Sequence, residues 1–123
     1  NLLFHEGKLA AILDLEFAGA GCYLEDIAYA ISNLSVRTTI NESKLYYRTN
    51  LLLDRYQSSR PLSYQERVAL YYAVGVKHIT TVAYQVPLYG GTIAGYSAAA
   101  WMERLALQCR WLAEQSRKAR WGE

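Results

Sequence analysis

Ala10-Ala11-Ile12-Leu13-Asp14-Leu15-Glu16-Phe17 is the stretch on which the reading of this chain turns. It is an apolar run closed by two carboxylates. After a small-residue loop it is followed by Leu24-Glu25-Asp26-Ile27-Ala28. A carboxylate buried without a partner is costly, so acids that end an apolar segment need solvent or a counter-charge. Read as a β segment over residues 8–15, the stretch has a period of two, which points Asp14 and Glu16 to the same side. A divalent cation is one natural partner for such a pair, because hard cations prefer carboxylate oxygens. A solvated strand end is the other reading.

Working outward, residues 2–5 form a companion β segment, joined through Glu6-Gly7, where Gly supplies a positive φ for the turn. A lone two-stranded hairpin is marginal in water, so this one needs a further surface to lean on. Residues 17–23 carry Gly19 and Gly21 and read as a loop; the wider glycine pattern of a phosphate cradle is missing. From there the chain is helical. Leu24, Ile27, Ala28, Ile31 and Leu34 keep the rhythm of one helix face.

Thr39-Ile40-Asn41-Glu42 has the form of a capping box and predicts a second helix with Leu45, Leu52, Leu53 and Tyr56 inward. Ser58 to Pro61 reads as a break. Ser63-Tyr64-Gln65-Glu66 is a second capping box, opening a long helix with a stripe of Val68, Tyr72, Val76, Ile79, Val82 and Val86 that stops at Pro87. Gly90-Gly91 marks a turn. The last helix is expected over roughly residues 95–119, with Trp101, Leu105, Cys109 and Leu112 inward. The fold class is α+β and mostly α: one β-hairpin followed by about four helices.

A chain of 123 residues, 52% hydrophobic and 20% charged, fits one globular domain or part of one. The net charge of +2 makes no case for nucleic acid. Charge is nonetheless split: residues 1–36 hold five acids against Lys8, while residues 37–123 hold twelve bases against six acids. Cys22 and Cys109 lack any CxxC context and read as two buried free thiols of a reducing compartment. No apolar run approaches the roughly 20 residues of a membrane span, and no signal peptide is evident. The expectation is a cytoplasmic protein with no membrane or nucleic-acid partner.

Three stretches together carry a resemblance: Asn1-Leu2-Leu3-Phe4, Ile12-Leu13-Asp14-Leu15-Glu16 and Asp26-Ile27-Ala28. They resemble the phosphotransferase family that includes aminoglycoside phosphotransferases, choline kinase-type enzymes and homoserine kinase-like proteins, which share the protein-kinase-like fold. That family has a catalytic loop H-x-D-x-x-x-x-N running into a strand, then a metal-binding D-x-[DE], then an Asp that opens a helix. Asn1 matches the last residue of the loop, Asp14 the metal-binding Asp, Glu16 the second acid and Asp26 the helix-opening Asp. The match is specific over residues 1–34 and is only architectural beyond them.

The resemblance implies ATP and Mg2+ as cofactors, with Asn1 and Asp14 as magnesium ligands. Glu16 would bind the metal directly, bind it through water, or bind substrate. Asp26 would brace the catalytic loop; read from its position alone, it is a carboxylate favoured by the helix dipole. The catalytic base would lie five residues upstream of Asn1, so no catalytic residue falls within residues 1–123. The nucleotide-binding lobe would be absent too. The chain begins at Asn1 without Met and reads as a C-terminal fragment of such an enzyme, inactive by itself and prone to self-association through uncovered apolar surface.

Its partners would be ATP and a small-molecule hydroxyl acceptor: a sugar, an amino alcohol, a hydroxy-amino acid or an aminoglycoside-like compound. The excess of bases in residues 37–123 argues for a neutral or anionic one. The competing reading is a non-catalytic helical binding or scaffold module. His5 is expected in solvent by the turn, and His78 as a hydrogen-bonded helix residue. Tyr46, Tyr56, Tyr71 and Tyr72 read as core or groove walls, and Arg117-Lys118-Ala119-Arg120 as a solvated helix end.

Overall fold

The computed structural model describes residues 1–16 and 18–122. Strand β1 (Leu2–His5) pairs antiparallel with β2 (Lys8–Ile12) across the turn at Glu6 and Gly7, whose φ values are 48° and 75°. Both central residues are left-handed, the geometry that matches the twist of two paired strands. Then come α1 (Tyr23–Leu34), a 3₁₀ turn at Val36–Thr38, α2 (Glu42–Ser59) and α3 (Tyr64–Leu88). A second, two-residue ladder joins β3 (Thr92–Ile93) to β4 (Tyr96–Ser97) ahead of α4 (Ala98–Trp121). One main hairpin and four helices match the expected fold class, and the small β3–β4 hairpin is an addition to it. Among the described residues no helix is long and apolar enough to cross a membrane.

The helix ends follow local chemistry. Ser63 and Glu66 close the expected capping box: the Glu66 N–H donates to Ser63 Oγ at 3.2 Å and the Ser63 N–H donates to Glu66 Oε2 at 2.8 Å. Arg60 adds a guanidinium at 2.6 Å from Glu66 Oε1. The box expected at Thr39 does not form. The cap of α2 is Asn41, whose Oδ1 accepts from the Lys44 N–H, while Thr39 Oγ1 accepts from the Asn41 N–H. Asn is as good a cap as Ser or Thr, and here it stands nearer the apolar face it has to start. Past Pro87, the Gly91 and Gly90 N–H groups donate back to the Val86 and Pro87 carbonyls. That paired closure, with Gly90 at φ 72°, ends α3.

The core joins Ile27, Ala28 and Ile31 of α1 to Leu45 and Leu53 of α2, Leu70 and Val74 of α3, and Trp111 and Leu112 of α4. The face of α3 departs from the expected stripe. Leu70, Val74, His78 and Val82 are buried, whereas Tyr72, Val76 and Ile79 are exposed. This helix has apolar residues on all sides, so periodicity alone cannot choose the inward one. On α4, Gln108, Gln115 and Ser116 are buried with Trp101, Trp111 and Leu112, while Leu105 and Cys109 are only half-buried.

A polar joint runs through this core. Gln108 Nε2 donates to the Val36 carbonyl at 2.6 Å and the Thr39 carbonyl at 3.0 Å. Its Oε1 therefore faces His78 Nε2, 2.7 Å away. The network assigns the ring proton to Nε2 and leaves Nδ1 bare, buried and without a hydrogen-bond partner. Burial lowers the His78 pKa, the bond to Gln108 opposes this, and the Arg37 and Arg104 charges push it lower still.

Two outcomes are expected. Gln108→Ala strands an imidazole N–H and two backbone carbonyls in the core and costs about 2–4 kcal/mol of unfolding free energy in denaturant titration. Glu66 is held well below the usual carboxylate range, at about 2, by the Ser63 N–H first and then by Arg60 and the Ser63 hydroxyl. Its contribution to stability is present above the unfolded-state pKa of about 4.3 and is lost as pH falls towards the folded-state value. Glu66→Gln should flatten the acid limb of stability between about pH 4 and pH 2 and leave its slope near neutrality unchanged.

Candidate functional site

The ladder of the first hairpin ends at the residues of interest. The Leu13 N–H donates to the Asn1 carbonyl at 2.8 Å, one step beyond the Leu2–Ile12 pair. Residues 14–16 have no strand opposite them. The β segment expected over 8–15 therefore stops at Ile12, and Asp14 sits at φ 61°. That left-handed turn breaks the alternation on which Asp14 and Glu16 were expected to share a face. Glu16 falls in the turn that follows. The backbone there favours Gly, with Asn and Asp the best tolerated alternatives.

The same turn brings Asp14 to Asn1. Asn1 Nδ2 lies 3.4 Å from Asp14 Oδ2, across thirteen positions of sequence, and both side chains are exposed. An amide and a carboxylate at this distance fit a cation that keeps most of its shell as water or phosphate oxygens. Magnesium does so, commonly using only one or two protein ligands. A half-turn of the Asn1 amide would present its oxygen beside the carboxylate. Among the described residues no group of three or more His, Cys, Asp or Glu side chains converges as a metal cage. Asn1 and Asp14 thus stand as an open pair and not as a closed cage.

Glu16 and Asp26 are exposed, and among the described residues no hydrogen bond or ion pair joins either to the Asn1–Asp14 pair. Asp26 lies in the first turn of α1 beside Glu25. Together they border a cavity of about 550 Å³ formed with Ala18–Tyr23. The start of α1 is pinned from three sides. Tyr56 Oη donates to the Tyr23 carbonyl at 3.4 Å, the Arg60 guanidinium stacks 4.7 Å over the Tyr23 ring, and Lys77 reaches Glu25 at 3.5 Å. The cap of α1, Cys22, makes no side-chain cap bond and is exposed, which corrects the expectation of a buried thiol: the residue belongs to the loop, not to the core. Cys109 is half-buried, and burial raises its thiol pKa.

The apolar residues of the hairpin are uncovered. Leu3, Phe4 and Leu15 are 50%, 65% and 62% exposed, and Leu2, Leu9, Ile12 and Leu13 are exposed as well. His5 is in solvent by the turn, as expected, 3.9 Å from Glu6. His78 is the buried, bonded residue anticipated. Tyr71 stacks edge-on to Trp111, while Tyr46 and Tyr72 line grooves and are exposed. Sequence reasoning gave no sign of a cavity shared by Arg37 and Arg104, because no motif links residues so far apart.

No family model, curated protein or solved structure matches this chain. The site is therefore read from its own geometry. If Asp14 tolerates its left-handed backbone as an Asx residue should, Asp14→Asn leaves the unfolding free energy within about 0.5 kcal/mol of the parent, while Asp14→Val costs more than about 1 kcal/mol, both measured by denaturant titration.

Proposed function

We propose that the chain is the C-lobe portion of an ATP-dependent small-molecule phosphotransferase of protein-kinase-like fold. The observation that carries this reading is the pairing of Asn1 with Asp14 at the end of the hairpin ladder. The two residues singled out as magnesium ligands by their resemblance to the aminoglycoside phosphotransferase and choline kinase family are neighbours in space. The bare apolar hairpin supports the same reading. In the proposed parent it packs against the nucleotide-binding lobe, which would also supply the ATP clamp.

Phosphoryl transfer needs positioning and neutralisation of phosphate charge more than covalent help from the protein. Magnesium, when bound, supplies that neutralisation. Asp14 would hold it by its carboxylate and Asn1 by its amide oxygen. Glu16 would act through water or on substrate, and Asp26 would brace the catalytic loop. The base that takes the acceptor's hydroxyl proton would lie upstream of Asn1, so the 123-residue chain would transfer no phosphate by itself. The acceptor would be a neutral or anionic hydroxyl compound (a sugar, an amino alcohol or a hydroxy-amino acid), with an aminoglycoside-like one disfavoured by the charge of residues 37–123. The protein would work in the cytoplasm.

A second reading, a non-catalytic helical binding or scaffold module, is favoured by the exposure of Asp14 and Glu16 and by the lack of a third converging ligand among the described residues.

Paramagnetic Mn2+ separates the two. Under the first reading, Mn2+ titrated into the chain broadens the amide signals of residues 1 and 13–16 before any others, and Asp14→Asn removes the effect. Under the second, broadening is diffuse or centres on Glu25 and Asp26. In the full-length protein, Asp14→Ala should lower magnesium-dependent phosphate transfer by at least a thousandfold, and retained transfer would overturn the assignment.

A further inference from the structure

The far end of α1 carries a different kind of site. Asn33 stands seven residues beyond Asp26, roughly 10 Å along the helix at 1.5 Å per residue. There it borders an open cavity of about 440 Å³ between the 3₁₀ turn, the end of α3, the β3–β4 hairpin and the start of α4. Arg37 and Arg104 both line this cavity, and no carboxylate does. Tyr89, Tyr96 and Trp101 form much of its wall.

Both guanidiniums are held by neutral groups. Arg37 Nη1 donates to Gln85 Oε1 at 2.9 Å. The Arg104 guanidinium stacks 4.3 Å from the Tyr96 ring and 5.2 Å from Trp101, and its Nε is buried with no hydrogen-bond partner. Asn33 Oδ1 is likewise a buried acceptor without a donor. Neither arginine forms an ion pair among the described residues. Two cations facing one cavity repel each other, and stacking on aromatic faces offsets only part of that cost. The lowering of the His78 pKa by these two charges agrees with an unneutralised positive field here.

The cavity is also built in advance of any ligand. Gln108 clamps the Val36 and Thr39 carbonyls on either side of the Arg37 turn. Trp101 Nε1 donates to the Ile93 carbonyl at 3.1 Å, which fixes the indole against the β3–β4 hairpin. Trp101, Arg104 and Gln108 follow at three- and four-residue steps along one face of α4, so the buried joint and the cavity wall share one rigid helix.

We infer that this cavity binds a small organic anion: a carboxylate or phosphate gripped between Arg37 and Arg104, on a planar apolar body packed among Tyr89, Tyr96 and Trp101, with an N–H or O–H donated to Asn33. Guanidinium forks suit such anions because they can bond two oxygens at once. The aromatic wall matches the mostly apolar lining and few convergent polar groups of small-molecule sites. The inference rests on this cavity alone and does not require the Asn1–Asp14 reading.

The test is a titration of isotope-labelled chain followed through the Trp101 indole N–H and the Arg104 Nε–H resonances. The probes are 4-hydroxyphenylacetate, a nucleoside 5′-monophosphate, inorganic phosphate and the neutral 4-hydroxyphenylacetamide. Saturable shifts with either organic anion and none with the amide are expected, and the better organic anion decides between carboxylate and phosphate. Phosphate alone should bind at least tenfold more weakly than the better organic probe. Arg104→Lys and Arg37→Lys keep the charge but lose the fork, and each should weaken binding at least tenfold at unchanged melting temperature. Equal shifts with acid and amide, no saturation with any anion, or undiminished binding in both folded Lys variants would overturn the assignment. Should a variant unfold, the acid–amide comparison on the unaltered chain decides by itself.

Discussion

Gln108 meets three buried demands with one amide. Its nitrogen closes the Val36 and Thr39 carbonyls, its oxygen accepts the His78 proton, and its backbone stays in α4. Inside a packed core each unmet polar group costs on the order of 1–3 kcal/mol, so these bonds act as a constraint more than as a gain. They fix where the 3₁₀ turn lies, and hence where α1 can end and α2 can begin. The Ser35 hydroxyl, 2.9 Å from Thr49 Oγ1, continues the same joint into α2. Three helices are thus registered through one side chain and its immediate neighbours.

The hairpin obeys a different logic. Its strands are held by their own ladder and by the left-handed turn at Glu6-Gly7, while its apolar side chains are left in solvent. A hairpin of this size is marginal unless a further layer covers it. The molecule therefore has a well-packed helical body and a hairpin whose apolar side chains that body does not cover. Local opening of the hairpin should cost far less than opening of the Ile27–Ile31–Leu70–Val74 core, since stability in a fold tracks buried apolar contact.

The sequence was legible where a local rule had no competitor. Glu6-Gly7 could only be a turn, and Ser63 with Glu66 met every condition of a capping box. At Thr39 the same pattern misled because Asn41, two residues on, is an equally strong cap closer to the helix. The stripe on α3 misled for another reason. Apolar residues surround that helix, and the inward face of Leu70, Val74 and Val82 includes His78, a polar residue whose buried partner is a Gln thirty positions away. In the candidate site it is the resemblance that names Asn1 and Asp14 together; the ladder brings their segments side by side, and the left-handed residue turns the carboxylate towards Asn1. The orientation of Glu16 could not, since one left-handed residue cancels strand alternation and no pattern announces it. Arg37 and Arg104 meet through tertiary packing alone.

The backbone at Asp14 is costly for the residue it carries. A non-glycine residue in the left-handed region costs of order 1 kcal/mol or more, and glycine would avoid that cost at this position. Asp14 gains little locally in return. Its carboxylate is exposed, and its partner is an amide at 3.4 Å, the long end of hydrogen-bonding distance. Neither core packing nor a hydrogen-bond network accounts for an acid here. Under the proposed function a dication shared with the Asn1 amide would, because it would convert an exposed carboxylate on a strained backbone into a ligand already aimed. The left-handed backbone turns the carboxylate back towards Asn1, where strand geometry would have carried it away.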